Sequence, residues 1–495
     1  MLIFKMKKMK KLYIKISMII ISLTAFTSCS DDFVNVDSND VNSEDFFNSE
    51  EDYQNALIGA YDLLQSTYIN VMLGEIASDN TLAGGESATD VIGIQEIDDM
   101  IHTPVNSNLR DLWGWMYGGV NRANFILEFQ DKIDFSGKDQ VIAQARFLRA
   151  YYYFELVKWF GDIPLAIDKQ ILFGEESSYE RSPASEVYSL IEQDLIYAAD
   201  KLPSVPAETG RVTKGAAQAL LGKAYLYQDK FSEAAQILET LIQSGTYSLV
   251  TDYNTIFEEE GENNVESVFE VQYTDLEGAG FGCLQCSEGN IAVGFSGVRN
   301  YEGPDFTSGF SFNVPVQEAY DAFDNDDPRR DIAILDINAW AASTGATFGT
   351  GYEHTGYFNH KYIPRAGSTA AQGELNYEMN YRAIRYSDVL LMAAEANNRK
   401  ASADDAKAQN YLNQVRARAF GNSSQASSST GATLTQEIWD ERNFELAMEG
   451  HRFFDLVRTG EASSKISGFI SGKHEVFPIP QTEIDISGLT QNAGY

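Results

Sequence analysis

The chain is poor in cysteine, histidine and basic residues. Its 495 residues include three cysteines, five histidines, and 37 lysines and arginines set against 72 acids. Each shortage excludes something. Three cysteines do not make a disulfide-built scaffold, and a chain of this length closes a large core without one. His102, His354, His360, His451 and His474 are scattered without ligand spacing, and His-Glu-x-x-His does not occur. A net charge of −35 disfavours phosphate backbones and anionic head groups as electrostatic partners. Beyond residue 28 no apolar run approaches the roughly eighteen residues of a membrane-spanning helix. What the chain has in quantity is apolar matter. It is 44% hydrophobic, with 29 Phe, 26 Tyr and 5 Trp, which excludes disorder and calls for a large core or a binding surface. At roughly 100 to 200 residues per domain, the length allows two to four domains.

No motif for covalent or metal chemistry is complete. Gly294-Phe295-Ser296-Gly297 stops one residue short of a nucleophile elbow. A phosphate-cradling Gly-x-Gly-x-x-Gly fails at Gly278-Ala279-Gly280, where Cys283 stands in the last position. Asp324-Asn325-Asp326-Asp327 has Pro328 where a calcium loop needs Asp or Asn, so it is read as a solvated turn capping a helix. A glycosidase needs two carboxylates about 5 to 10 Å apart, and among 72 acids linear sequence singles out no pair. The expectation is no catalytic residue, no cofactor and no metal.

The N-terminus is the exception to the acidic character. Residues 1–28 carry six lysines and no acid, and an apolar run over 16–26 follows them. Eleven residues are too few for a permanent span but suit the core of a secretory signal. Thr27-Ser28-Cys29 then resembles the cleavage region of a bacterial lipoprotein, in which Cys29 becomes the lipidated first residue, although Phe26 replaces the usual Leu. Ser30-Asp31-Asp32 is similar to the tag that sends Bacteroidetes lipoproteins to the outer face of the outer membrane. Without the signal the net charge is near −41. Outside the cytoplasm, with no second Cys pair and no nearby His, Cys283-Leu284-Gln285-Cys286 is expected to form a local disulfide rather than to stay as free thiols.

Helical periodicity runs over 49–65, 112–130, 138–160, 183–201, 213–229, 231–244, 380–398, 403–419 and 434–458. In 215–249, Leu221, Gly222, Tyr225 and Ala234 fit a tetratricopeptide register, with Gln218 in place of its Trp. There small residues let two antiparallel helices close up and the Tyr fills the gap. Between 250 and 381 helical patterns fade and glycine rises, after a strand pattern at 266–273. So long a loop region inside a helical chain is uncommon unless it has a function. The low-complexity run 421–431 reads as a flexible surface connection. The fold expected is mainly α, a scaffold of degenerate tetratricopeptide-like repeats with a loop-rich irregular region containing a few short strands.

Several phrases, taken in order, resemble the SusD/RagB family of Bacteroidetes. They are the helix from Gln144-Ala145-Arg146-Phe147-Leu148-Arg149-Ala150-Tyr151-Tyr152-Tyr153-Phe154 to Gly161-Asp162-Ile163-Pro164; Leu57-x-Gly59-Ala60-Tyr61; Gly210-Arg211-Val212-Thr213-Lys214-Gly215; Asp327-Pro328-Arg329-Arg330; Arg385-Tyr386-Ser387-Asp388 to Glu395-Ala396; Glu441-Arg442 to Glu449-Gly450-His451-Arg452-Phe453-Phe454-Asp455; and Pro478-Ile479-Pro480 to Tyr495. Departures are small: Gln144 for Glu, Ser387-Asp388 for Ala-Glu, Ala493 for Pro. Charged groups in such apolar company are read as paired and buried, and Tyr151 to Phe154 as core.

The resemblance implies a binding protein and not an enzyme: a lipoprotein of the outer membrane, facing the cell exterior. It would capture an oligosaccharide and act as a hinged lid over a SusC-like TonB-dependent transporter. The same architecture serving a peptide, or a secreted glycosidase, are the competing readings. The resemblance further divides the chain into the signal 1–28, a lipidated tether 29–48, an N-terminal helical part 49–250, a loop-rich ligand side 251–380 and a C-terminal helical part 381–495. Sugar binding needs flat apolar faces and hydroxyl-bonding polar groups, so Tyr301, Phe306 and Trp340 are the exposed candidates, with Asp79 and Asn300 as polar partners. Between Asn80 and Arg110 no Phe, Tyr or Trp occurs, which leaves little stacking on that side.

Overall fold

The computed structural model describes residues 46–276, 280–367 and 375–495. The signal 1–28 and Cys29 lie outside the described residues, as do Gly278 and Ala279. Two compact units are distinguished, Met1–Asp52 and Tyr53–Tyr495. In the first, the Asp52 carboxylate accepts from the backbone N–H groups of Asn48 and Ser49, both at 2.9 Å, at the start of helix α1 (Glu50–Asp62).

The second unit is mainly helical. After α2 (Ile69–Ile76), the helices α3 (Ser107–Glu128), α4 (Lys138–Phe160), α5 (Ala184–Lys201), α6 (Lys214–Leu226) and α7 (Phe231–Gln243) each pack on the next. A short α8 (Ile337–Thr344) lies in the loop-rich region. Beyond it, α9 (Tyr386–Arg399) packs on α7, and α10 (Asp405–Phe420) and α11 (Gly431–Leu446) both pack on α9, with α12 (Arg452–Thr459) following. Helix starts follow their sequence: the Asn106 side chain accepts from Asn108 and Leu109 N–H to cap α3, and Thr213 accepts from Ala216 N–H to cap α6.

Helix α4 is wrapped on most faces. Tyr151, Tyr152, Tyr153 and Phe154 are at most 3% exposed. Tyrosine is tolerated there because its hydroxyl finds a partner: Tyr152 donates to Ala60 O at 2.7 Å and Tyr153 to Ala166 O at 2.9 Å. Arg149 grips both carboxylate oxygens of Asp194 on α5 at 2.7 and 2.8 Å and donates to Asn124 Oδ1 on α3 at 2.9 Å, so one guanidinium fixes three helices. In the tetratricopeptide-like pair, a Cβ at Gly222 of α6 would collide with Leu238 of α7, the close approach expected of the small residue. Tyr225 is only half-buried, with the Lys230 ammonium over its ring.

Among the described residues there are four two-stranded antiparallel sheets: β1 (Thr81–Ala83) with β5 (Asn313–Pro315), β2 (Ile163–Pro164) with β3 (Arg181–Ser182), β4 (Ser267–Val271) with β8 (Tyr381–Arg385), and β6 (Ile334–Asp336) with β7 (Tyr357–Asn359). Two helical expectations are corrected here. In 380–398 the first residues form β8, because their fully buried strand bonds to β4 before the chain turns into α9. In 434–458 the helix breaks at 447–451. Met448 and Gly450 take positive φ of 70° and 88°, and a Cβ at Gly450 would collide with the Asn70 carbonyl of α2. The run 421–431 is tied along α10 rather than free, through Gln409 Nε2 to Ser429 O and Asn413 Nδ2 to Ser427 O. Asp327 departs from the solvated turn expected of it, being buried against Arg329, while Asp324 to Asp326 are exposed.

A buried ionic cluster joins the loop-rich region to the helices. Arg385 of β8 donates to Glu266 at 2.7 Å, Glu445 at 2.9 Å and both oxygens of Glu449 at 2.7 and 2.8 Å. Arg329 reaches Asp327, Glu441 and Glu445, Arg418 reaches Glu266 and Glu445, and Lys361 reaches Glu449 at 2.7 Å. Burial drives the Lys361 ammonium down to about 8, with Glu449 opposing. For Glu445 burial acts upward, but Arg418, Arg385 and Arg329 together hold it far below the usual carboxylate range.

Candidate functional site

The loop-rich region is knitted by single bridges: Gly85 to Tyr352, Arg299 to Gly309, Glu302 to Thr347 and Phe306 to Arg365. They bring segments 84–90, 297–312 and 345–353 together over a small core of Val298, Leu335, Ile337, Phe358 and Ile363. Tyr301 and Phe306 belong to that core, at 5% and 6% exposure, so the sequence expectation that they are exposed is corrected. Phe306 is enclosed by Tyr301 at 5.8 Å, Trp340 at 5.2 Å and His360 at 5.5 Å between ring centroids. The Tyr301 hydroxyl donates to Pro304 O at 2.6 Å and accepts from Trp340 Nε1–H at 2.9 Å. Burial and Arg365 lower the His360 imidazole to about 4, leaving it neutral. Trp340, on α8, is half-buried and keeps part of its ring at the surface.

Asn300 is exposed, takes a positive φ of 50° and lies against Gly349 of the neighbouring loop. Beside it, Arg299 donates through Nη2 to Phe310 O at 2.7 Å and to Asp90 at 3.5 Å. Asp90 also accepts from Glu86 N–H, closing the turn at 86–90. Asp79 is placed elsewhere: both its oxygens are held by Arg452 of α12, at 2.7 and 2.8 Å. The structure thus groups Tyr301, Phe306 and Trp340, places Asn300 next to Tyr301 on the same loop, and engages Asp79 in an ion pair.

Sequence reading missed the most exposed aromatic of the face. Phe281 is 49% exposed, with one side laid on Phe295 (5.9 Å, 24° between planes) and its edge against Phe310 at 5.0 Å. Cys283 and Cys286 are joined by a disulfide with Cα atoms 5.3 Å apart, closing the turn that follows this ring. Half-buried Phe310 and Phe348 extend the surface through Arg299 and Asn300. The available signal was a lone aromatic between Gly280 and Gly282, flanked by residues too small to cover it. An exposed ring beside an amide, a guanidinium and a carboxylate suits stacking and hydrogen bonding to a neutral polyhydroxylated ligand. Among the described residues no group of His, Cys, Asp and Glu is arranged to hold a metal ion, and no helix is long and apolar enough to cross a membrane.

A helical scaffold presenting a loop-built aromatic and polar face is the architecture of a binding protein. The chain belongs to the SusD family, whose model matches residues 264–476, while a second model, described as starch-binding associating with outer membrane, matches 32–226. It is similar to SusD-like protein P2 of Formosa agariphila, 27% identical over 97% of this chain and 99% of that protein. Among solved structures, a laminarin binding SusD-like protein superposes with a TM-score of 0.82 at 36% identity, covering 90% of this chain and all of the other. Surface glycan-binding protein A from Bacteroides thetaiotaomicron in complex with laminarihexaose gives 0.78 at 29% identity, covering 90% and 99%.

Proposed function

We propose that this protein is a surface lipoprotein that captures laminarin-type glucan oligosaccharides and delivers them to a TonB-dependent outer-membrane transporter. The observation that carries the ligand is the near-full-length similarity, at 36% identity, to a laminarin binding SusD-like protein. The geometry supports it. A pyranose ring stacks on the free side of Phe281 or Trp340, and Asn300, Arg299 and Asp90 bond its hydroxyls. Cys29 carries the lipid that holds the protein at the outer membrane, so attachment needs no basic surface and tolerates the acidic body. Region 251–380 forms the ligand side and the helical parts on either side the scaffold, which acts as a hinged lid over the barrel.

Affinity electrophoresis through gels cast with laminarin, starch or xylan tests the ligand. Laminarin is expected to retard the protein most strongly, without being shortened. Equal mobility in all gels, together with binding in a parallel titration against peptides, would replace the glycan with a peptide. Shortening of laminarin would contradict a binding role.

A further inference from the structure

A cavity of the second unit is lined by residues other than the candidates of this face. It has a volume of about 640 Å³ and is bounded by β1, the segment 316–322, α11 and the start of α12. That volume falls within the roughly 300 to 1,000 Å³ of small-molecule sites. Its lining includes Asp79 but none of Asn300, Tyr301, Phe306 and Trp340. The polar part of the wall is built from the interior outward. Asn80 donates through Nδ2 to Asn443 Oδ1 at 3.1 Å, and the Asp98 carboxylate accepts from Ala83 N–H at 2.7 Å. Thr81 is 1% exposed, so its hydroxyl lies behind the wall, and Asn443, half-buried, is the amide at the cavity. The apolar part is Val316, Phe444 and Ile466, with Phe444 braced 5.1 Å from Phe323.

We infer that this cavity is a second saccharide site, taking a neutral mono- or disaccharide unit. The lining asks for such a ligand. Asp79 and Arg452 neutralise each other, and the other charged groups of the lining, Asp98, Glu318 and Asp440 against Lys465, turn away an anion while accepting from hydroxyls. The lining combines the Asn443 amide and the Asp98, Glu318 and Asp440 carboxyls with the apolar side chains of Val316, Phe444 and Ile466, a mixture that suits hydroxyl bonding and contact with a sugar ring. Burial also raises the Asp98 carboxyl to about 7, so it supplies both a donor and an acceptor near neutral pH. The inference rests on the reading above only for the choice of a saccharide as ligand class.

Saturation-transfer NMR with laminaribiose, on the full-length protein in a sugar-free detergent, tests it. Signal is expected from the unaltered protein and from Phe281→Ala, with at least a fivefold loss in Asn443→Leu. It should vanish in Ala322→Trp, which fills the mouth from an exposed position where folding is not at stake. No signal from the unaltered protein, or signal indifferent to both cavity variants, would overturn the inference. Laminarihexaose titrated in parallel separates the two readings. If the hexaose fails to bind while the disaccharide binds through the cavity, the proposed function falls and the second site stands.

Discussion

At Arg385 a buried guanidinium faces the carboxylates of Glu266, Glu445 and Glu449 at once. Desolvation of so many charges is costly, and it is offset here because every oxygen that loses water gains an N–H. Removing one member leaves the others buried and unbalanced, which costs about 3–5 kcal/mol. Arg385→Met is therefore expected to lower stability by that amount in denaturant unfolding. A loss under about 1 kcal/mol would show that the cluster is not holding the fold. The cluster was legible as motif residues, since charges amid apolar neighbours must be paired. Which partners they take was not, because Glu266, Lys361, Arg418 and Glu449 come from distant segments. The same limit explains Tyr301 and Phe306. An aromatic in a glycine-rich loop looks exposed until α8 and the β6–β7 pair, remote in sequence, are laid over it.

Elements show where periodicity stops being informative. The pattern through 434–458 is helical on both sides of Gly450, and nothing local marks the break. It exists because α2 passes so close that Gly74 and Gly450 meet backbone to backbone. Gly450→Ala must abandon a φ of 88° and push the Asn70 carbonyl away, so a destabilisation of about 2 kcal/mol or more is expected in thermal unfolding, larger than for Gly460→Ala. Gly460 has similar φ but open space around it. Equal effects at the two sites would mean that backbone conformation alone, not the crossing of α2, sets the cost. The helices themselves were legible from 3.6-residue spacing and caps, whereas β8 was not. Its five buried residues, Tyr381-Arg382-Ala383-Ile384-Arg385, carry two arginines, show no alternation of apolar and polar faces, and run straight into the helical spacing of α9.

Across the whole molecule, acid response follows from groups whose protonation differs between folded and unfolded chains. Burial holds His102 and His451 at about 3 and His360 at about 4, so as pH falls below about 6.5 the unfolded chain binds protons that the fold refuses, and stability drops. Glu75 and Asp98, raised by burial to about 7, act in the opposite sense between about 7 and 4.5. The two effects largely offset each other down to about pH 5. Below that the depressed carboxylates Asp388, Glu395, Glu445, Glu449 and Asp455 would have to be protonated, and their stabilisation is lost. Thermal midpoints are thus expected to change little from pH 7 to 5 and to fall steeply beneath about 4.5; a midpoint steady to pH 3 would contradict this balance. Capture of glucan on the face around Phe281 is tested by calorimetric titration with laminarihexaose. Saturable binding to the unaltered protein is expected, weakened roughly tenfold, about 1.4 kcal/mol, in Phe281→Ala. Absence of binding to the unaltered protein, or equal affinity in the variant, would contradict it.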